Sequence, residues 1–142
     1  MIPRSVRNNN PGNIRIQDPW QGLMPRDQMN DAQKAEQEFC VFSTPAYGFR
    51  AMCILLKNYQ RLYNLNTPRA IVSRYAPKTE NATAAYIKRV CLLAQIDPDE
   101  TFSMSNDDQA FAVMKAMTIV EAGRWDPYYQ DSDLTDGIAM AA

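Results

Sequence analysis

Arg7-Asn8-Asn9-Asn10-Pro11-Gly12-Asn13-Ile14-Arg15, followed closely by Trp20-Gln21-Gly22, is the stretch around which we expect the chain to be organised. It is too polar for a core and too rich in turn-forming residues for a helix. Amides that donate and accept hydrogen bonds, beside a Trp ring, are typical of a sugar-binding surface. The other interpretation is a polar turn that caps an N-terminal strand, and this stretch alone does not decide between the two.

The size and charge of the chain limit the classes of protein that it can be. Its 142 residues predict a single domain, residues 1–142, with enough chain to bury a core. The net charge of -1 argues against a domain whose affinity comes mainly from nucleic-acid phosphates. No apolar run approaches the roughly 20 residues of a membrane span. Residues 1–4 do not begin a signal peptide, so we expect neither membrane insertion nor secretion by that route.

The chain contains no histidine, which excludes a His base and a His-based zinc site. Cys40, Cys53 and Cys91 are widely spaced in apolar surroundings, and we interpret them as buried free thiols of a protein folded in a reducing cytosol. We expect no metal and no cofactor. If the protein is an enzyme, carboxylates must carry its proton chemistry.

Helix signals dominate the rest of the chain. Thr44-Pro45 and Thr67-Pro68 each combine an N-capping hydroxyl with Pro at the first helical position. Apolar residues at helical spacing follow them, and Gly123 is a candidate C-cap for a later helix that opens at Asn106. We predict helices at residues 47–63, 69–75, 83–94 and 107–122, a turn or two at 131–140 and one helical turn within 31–38. Residues 76–81 are predicted as a loop.

Two short strands are predicted near the N-terminus, at residues 12–16 and 38–43. They would form a small β-hairpin with a long connection. The predicted fold is therefore mainly α (α+β), a helical domain with a small hairpin.

Two acidic residues are candidates for chemistry. Glu121 ends an apolar helix and is followed by Arg124 and Trp125, so its carboxyl group is partly desolvated and suited to act as an acid. A simple ion pair with Arg124 is the competing interpretation. Glu80 precedes a helix and is either an ordinary first-turn acid or a second carboxylate of a site. Among the aromatic residues, Trp20, Trp125 and Tyr128 lie outside regular helix in polar surroundings, and we predict that they face a cleft.

Several spaced motifs resemble a family of phage proteins described as virion structural proteins or endolysins. The motifs, within residues 7–94, are Asn9-Asn10-Pro11-Gly12-Asn13-Ile14-Arg15, Trp20-x-Gly22, Phe39-x-x-Phe42-x-x-x-x-x-Gly48-x-Arg50-Ala51 and Tyr75-Ala76-Pro77-x-x-Glu80-Asn81-x-Thr83-x-x-Tyr86. The C-terminal Glu121-Ala122-Gly123 also looks like that family's ending, although Ala122 replaces the usual Asn.

A more distant resemblance is to lysozyme-like glucosaminidases of the flagellar rod. They carry a helix that ends in Glu-Ser-Gly-Trp, then an Asn turn, a Trp-x-Gly, a short strand and a Tyr-bearing helix. Residues 10–15, 20–22, 39–42, 75–76 and 86 match these pieces in order, but the Glu-bearing helix lies at the C-terminus here. The resemblance implies a circularly permuted lysozyme-like domain. Circular permutation costs little stability where the two chain ends lie close together at a surface.

These resemblances imply a monomeric peptidoglycan hydrolase, a muramidase or a lytic transglycosylase. It would cleave the β-1,4 bond of murein, using Glu121 as the acid and Glu80 as a candidate second carboxylate. The implied substrate-binding residues are Asn10, Asn13, Arg15, Trp20, Tyr75, Asn81, Thr83, Tyr86, Trp125 and Tyr128. The protein would be made in the cytoplasm of a bacterial host and reach the periplasmic cell wall through a holin or a virion.

Two other functions are weighed against this one. The first is a non-catalytic virion or wall-binding protein with the same fold. The second is a DNA-binding helical domain, suggested by Arg69, Arg74, Lys78, Lys88 and Arg89 and disfavoured by the neutral total charge.

Overall fold

The computed structural model describes residues 1–76 and 79–142, and it confirms a mainly helical fold. Pro77 and Lys78, which belong to the predicted loop, lie outside the described residues. In chain order, the helices are α1 (Arg4–Arg7), α2 (Asp31–Lys34), α3 (Pro45–Tyr63), α4 (Pro68–Tyr75), α5 (Glu80–Ala94), α6 (Asp107–Ala122) and α7 (Asp131–Met140), with a 3-10 turn at Arg26–Gln28.

Local capping explains where the long helices begin and end. The side chains of Thr44, Thr67 and Asn106 each accept a hydrogen bond from a backbone N–H three residues on. Helix α6 ends as predicted at Gly123, whose φ of 89° favours glycine. Helix α5 begins three residues earlier than predicted, because the hydroxyl of Thr79 caps it at the N–H of Ala82.

Helix α3 is the centre of the core. Phe49, Met52 and Leu56 on this helix are fully buried. Helix α7 packs along α3, and α5 packs against α4 and α6. Gly137 of α7 lies against Phe49 and the backbone of α3, where a Cβ would have no room. None of the helices in the described ranges is long and apolar enough to cross a bilayer.

The region predicted as a hairpin contains isolated antiparallel bridges. One joins Arg15 to Phe39 and another joins Leu23 to Phe42. The N–H of Cys40 also donates to the carbonyl of Ile14 at 2.9 Å. Residues 14–16 and 22–24 therefore lie beside residues 38–43, each through only one or two backbone pairs.

The Asn-rich stretch is inside the protein, so the expectation that it is too polar for a core is wrong. Asn8 and Asn10 are fully buried. The side chain of Asn10 accepts a hydrogen bond from the N–H of Ile14 at 2.9 Å and donates to the carbonyls of Ile14 and Cys40, both at 3.0 Å. A short amide can be buried when each of its polar atoms replaces water with a backbone partner.

Glu36 supports the same stretch from outside. Its carboxylate accepts a hydrogen bond from Asn8 Nδ2 at 2.9 Å and is paired with Arg7. Burial opposes the charged form, but the hydrogen bonds from Asn8 and from the backbone hold the pKa of Glu36 below its usual value. The buried turn is thus fixed on both sides, by α3 and by this carboxylate.

Two smaller sequence expectations have different outcomes. Cys40 and Cys53 are free and buried, as predicted, and burial raises the pKa of both thiols. Cys91 is a free thiol that is only half-buried. The helical spacing of apolar residues in α5 also predicts Leu93 on its apolar side, but 41% of the surface of Leu93 is exposed, so that prediction is wrong.

Replacing Asn10 should lower the stability of the whole domain. In Asn10→Ala, the N–H of Ile14 and the carbonyl of Cys40 lose their buried partner, at about 1–3 kcal/mol for each unsatisfied group, while the carbonyl of Ile14 keeps the N–H of Cys40. We expect the free energy of unfolding in urea to fall by about 3 kcal/mol or more. Asn81→Ala, at an exposed position in the first turn of α5, is the matched control and should stay within about 0.5 kcal/mol of wild type. An Asn10→Ala protein as stable as this control would contradict the assigned role.

Candidate active site

The carboxylate of Glu121 joins the two ends of the chain. Glu121 lies in the last turn of α6. Its Oε1 accepts a hydrogen bond from Asn13 Nδ2 at 2.9 Å, and its Oε2 accepts one from the hydroxyl of Tyr86 at 2.8 Å. The Asn-rich turn, α5 and α6 therefore meet at one carboxyl group.

The backbone of the turn presents Asn13 to Glu121. Asn13 adopts a φ of 47°, a left-handed conformation that Asn tolerates better than most residues. The hydroxyl of Tyr75 donates to the carbonyl of Gly12 and occupies the place that a Cβ of residue 12 would take. Tyr75 can approach this closely only because residue 12 is glycine.

The two tyrosines of the site remain neutral phenols. Burial, followed by the negative charge of Glu121, raises the pKa of Tyr75 and of Tyr86 well above its ordinary value. Tyr86 therefore keeps its hydroxyl proton and is a permanent hydrogen-bond donor to Glu121.

Two clefts meet at the turn. The proximal cleft, of about 280 Å³, is lined by Arg4, Ser5, Gly12, Asn13, Phe39, Tyr75 and Glu121. The middle cleft, of about 230 Å³, is lined by Gly12, Asn13, Ile14, Arg15, Gln17, Asp18, Trp20, Leu55, Tyr59 and Tyr75. Because three residues belong to both linings, the clefts adjoin, and a ligand longer than one of them could lie across the turn.

Three polar atoms of residues on these linings have no hydrogen-bond partner within the described residues. They are Ser5 Oγ and the pair Asn13 Oδ1 and Trp20 Nε1, and all three are buried. Asn13 can therefore hold Glu121 with its N–H and accept a second hydrogen bond with its oxygen. A ligand that carries both a donor and an acceptor would satisfy the pair.

Five of the predicted substrate-binding residues lie together around Glu121. Asn13, Tyr75, Arg15 and Trp20 line the clefts, and Tyr86 lies behind Glu121. Tyr86 was predicted to bind substrate, but its ring is buried and its hydroxyl contacts the carboxylate instead. It is positioned to orient Glu121 rather than to bind a ligand.

Asn10 cannot contact a ligand, which corrects its predicted role. Its side chain is fully buried and committed to backbone groups. The sequence pattern does not separate Asn10 from Asn13, because both are turn formers of the same chemistry and only their burial differs.

Trp125 was predicted to face a cleft and packs elsewhere. Its ring centroid lies 5.9 Å from that of Phe49 and 5.3 Å from that of Tyr129, with Lys115 Nζ 4.8 Å from its centroid. The ring therefore covers the core beside α3. Tyr128 is half-buried in the same turn and lines neither cleft.

The residues at the start of α5 lie away from the carboxylate. Glu80 and Asn81 are exposed in the first turn, and the hydroxyl of Thr83 donates to the carbonyl of Ala76 at 3.1 Å. Glu80 precedes Tyr86 by six residues, which places it about 9 Å along the helix axis and on a different face. Among the described residues, Glu121 is the only carboxylate on the proximal cleft, while Asp18 lies on the middle cleft.

The sequence interpretation missed several lining residues. Arg4, Phe39 and Tyr59 belong to the clefts. Arg4 lies over the ring of Phe39 at 4.9 Å, and Arg15 lies over the same ring at 5.0 Å. An Arg in a four-residue helix and a Tyr within an amphipathic helix carry no local signal that distinguishes a cleft from a surface.

Together, these features define a small, mainly helical protein with a polar cleft built around a single carboxylate. No family model matches the chain. It belongs to the family of Protein P5 of Pseudoalteromonas phage PM2. The two are 33% identical over 132 residues, which cover 90% of this chain and 76% of the phage protein.

Alkaline pH should destabilise the protein partly through Tyr86. A phenol ionises near pH 10 in an unfolded chain, whereas the folded protein holds the pKa of Tyr86 well above that value. The resulting stabilisation is complete below about pH 10 and is lost as the pH rises further. Each pH unit above 10 then costs up to about 1.4 kcal/mol for this group.

We therefore expect Tyr86→Phe to flatten the pH dependence of the free energy of unfolding between about pH 10 and 11. Urea denaturation at several pH values measures both slopes. At pH 7, the variant should lose about 1 kcal/mol with its hydrogen bond to Glu121. Parallel curves for variant and wild type across the alkaline range would contradict this account.

Proposed function

We propose that the protein cleaves the β-1,4 bond between N-acetylmuramic acid and N-acetylglucosamine in peptidoglycan, with Glu121 as the proton donor. The observation that carries the proposal is the placement of Glu121 on an open polar cleft, oriented by Asn13 and Tyr86. In a chain without histidine, a carboxyl group on an open cleft is the best available general acid.

The lining of the proximal cleft favours a lytic transglycosylase over an inverting hydrolase. An inverting enzyme needs a second carboxylate roughly 6.5–9.5 Å from the acid to activate water. Glu121 is the only carboxylate on that cleft within the described residues. One Glu can act twice, first by donating its proton to the glycosidic oxygen as the C1–O bond breaks. It then accepts the proton of the muramic acid C6 hydroxyl as that oxygen bonds to C1.

The neighbouring groups suit each stage of this reaction. Tyr86 keeps its proton, so its hydroxyl stabilises the carboxylate that forms after the first transfer. Asn13 Oδ1 can accept a hydrogen bond from an acetamido N–H, and Trp20 Nε1 can donate to a sugar oxygen in the middle cleft. Arg15, exposed at the edge of the same cleft, would contact hydroxyl groups.

The proposal includes a circularly permuted lysozyme-like domain. Its support is that the Asn-rich turn near the N-terminus meets the Glu-bearing helix near the C-terminus, as the resemblance to the glucosaminidases requires. Membership of a phage protein family supports a role in phage-type wall degradation, with a holin or the virion delivering the protein to the cell wall.

A non-catalytic virion or wall-binding protein is the second candidate function. It is favoured by the hydrogen bonds of Glu121, since each carboxylate oxygen has a protein donor and the group could serve only to tie the turn to α5 and α6. In that case, the protein would sediment with murein and release no muropeptides.

Glu121→Gln decides between the two. The amide keeps the shape of the side chain but has no proton to transfer, so we expect release of muropeptides from purified murein to fall at least about 100-fold. Mass spectrometry of the products of the wild-type protein should show 1,6-anhydromuramic ends. Such an end has one water less than the reducing end that a hydrolase produces. Glu100→Gln, an exposed loop residue, is the matched control and should retain full activity.

Each alternative has its own result. If Glu121→Gln releases muropeptides as fast as the wild type, another residue must be the proton donor, and Glu80→Gln would then be the next variant to measure. A wild-type protein that binds murein and releases nothing would support the non-catalytic function. Products with reducing ends would show that the reaction is hydrolysis and not transglycosylation.

A further inference from the structure

A third depression lies next to the middle cleft, at the end of α4. This distal recess, of about 620 Å³, is lined by Tyr59, Tyr63, Leu65, Ala70, Ser73 and Arg74. Tyr59 belongs to both linings. The proximal cleft, the middle cleft and the distal recess therefore follow one another as a row of neighbouring depressions that begins at Glu121.

Helix α3 forms one side of both the middle cleft and the distal recess. Leu55, Tyr59 and Tyr63 follow one another at intervals of four residues and so lie on one face of the helix. At 1.5 Å per residue, Leu55 and Tyr63 are about 12 Å apart along the axis. A groove of this length beside aromatic rings suits a polymer better than a small molecule.

Arg74 is the charged group of the distal recess. Its guanidinium carbon lies 3.9 Å from the ring centroid of Tyr63 and 5.1 Å from that of Tyr59. The side chain is exposed, and no carboxylate within the described residues lies within 4.0 Å of it. Arg69 on the same helix, by contrast, is paired with Asp99 at 2.8 Å.

Contact with two rings orients the Arg74 fork, and the hydroxyl of Tyr59 occupies part of it, which leaves the remaining N–H groups available. An Arg held on an aromatic face loses little side-chain entropy when it binds a carboxylate. Tyr63 keeps half of its surface exposed, so part of its ring is also open to a ligand. An oriented cation on an aromatic plate matches a ligand that combines sugar faces with carboxylates.

We propose that the distal recess binds carboxylates of the murein strand through Arg74, while Tyr59 and Tyr63 contact its sugar rings. This inference rests on the proposed function and deepens it, because it assigns the protein to anionic, muramic-acid-containing strands rather than to neutral polysaccharides such as chitin. The carboxylates are those of the stem peptides or, where the peptides have been removed, of the lactyl groups.

Binding to insoluble polysaccharides tests the inference without depending on cleavage. All proteins carry Glu121→Gln, so that the substrate stays intact, and sedimentation gives the dissociation constants. We expect Arg74→Gln to bind intact murein about 10-fold more weakly and to bind chitin unchanged. Tyr63→Ala should weaken binding to both polymers. Arg89→Gln, an exposed Arg of α5 that lines none of the three depressions, is the matched control and should bind as the parent does.

Murein that an amidase has stripped of its peptides identifies the source of the carboxylate. A 10-fold effect of Arg74→Gln on intact murein that disappears on stripped strands assigns the contact to the peptides. An effect that persists on stripped strands shows that Arg74 also binds the lactyl carboxylates that removal of the peptides sets free. Equal binding of murein by Arg74→Gln and the parent would overturn the inference, as would a murein affinity of Arg74→Gln that falls no further than its chitin affinity. Retention on DNA that depends equally on Arg74 would also overturn it in favour of a nucleic-acid contact.

The two proposals fail in different ways. If the chain with Glu121 restored releases no muropeptides while Arg74 still controls binding to murein, the cleavage proposal fails and the recess assignment stands. If Glu121 is required for release while Arg74→Gln binds murein as the parent does, the recess assignment fails and the cleavage proposal stands.

Discussion

The hydrogen bonds of one buried amide hold the N-terminal part of the molecule together. Asn10 satisfies the N–H and carbonyl of Ile14 and the carbonyl of Cys40 at once, and so joins the Asn-rich turn to residues 38–43. The carbonyl of Asn10 also accepts the N–H of Asn13, which sets the left-handed residue that reaches Glu121. The position of the carboxylate therefore depends on a side chain that no ligand can contact.

Helix boundaries could be predicted from the sequence because their causes are local. A hydroxyl cap and a Pro lie at the starts of α3 and α4, an amide caps the start of α6, and Gly123 lies at the end of α6. The burial of Asn10 could not be predicted, since it depends on Cys40, 30 positions away. Asn13 lies in the same polar turn, but its side chain lines the cleft and contacts Glu121.

The candidate site shows the same division. The meeting of the Asn-rich turn with Glu121 was predicted from the order of motifs, and the hydrogen bond between Asn13 and Glu121 agrees with it. The orientation of Trp125 could not be predicted. Its ring packs with Phe49 and Tyr129 in an aromatic cluster, and the local sequence does not reveal that cluster. The carboxylate of Glu121 joins the Asn-rich turn to α5 and α6, and it also lines the proximal cleft.

The span of the bond between Asn13 and Glu121 has a consequence for biosynthesis. The two residues are separated by 108 positions, so the carboxylate reaches its donors only after most of the chain has left the ribosome. A nascent chain that ends at Ala94 already contains Asn13 and Tyr86 but lacks the acceptor that both of them share. Whatever this carboxylate does, a nascent chain that stops short of Glu121 cannot do it, although it already contains both hydrogen-bond donors.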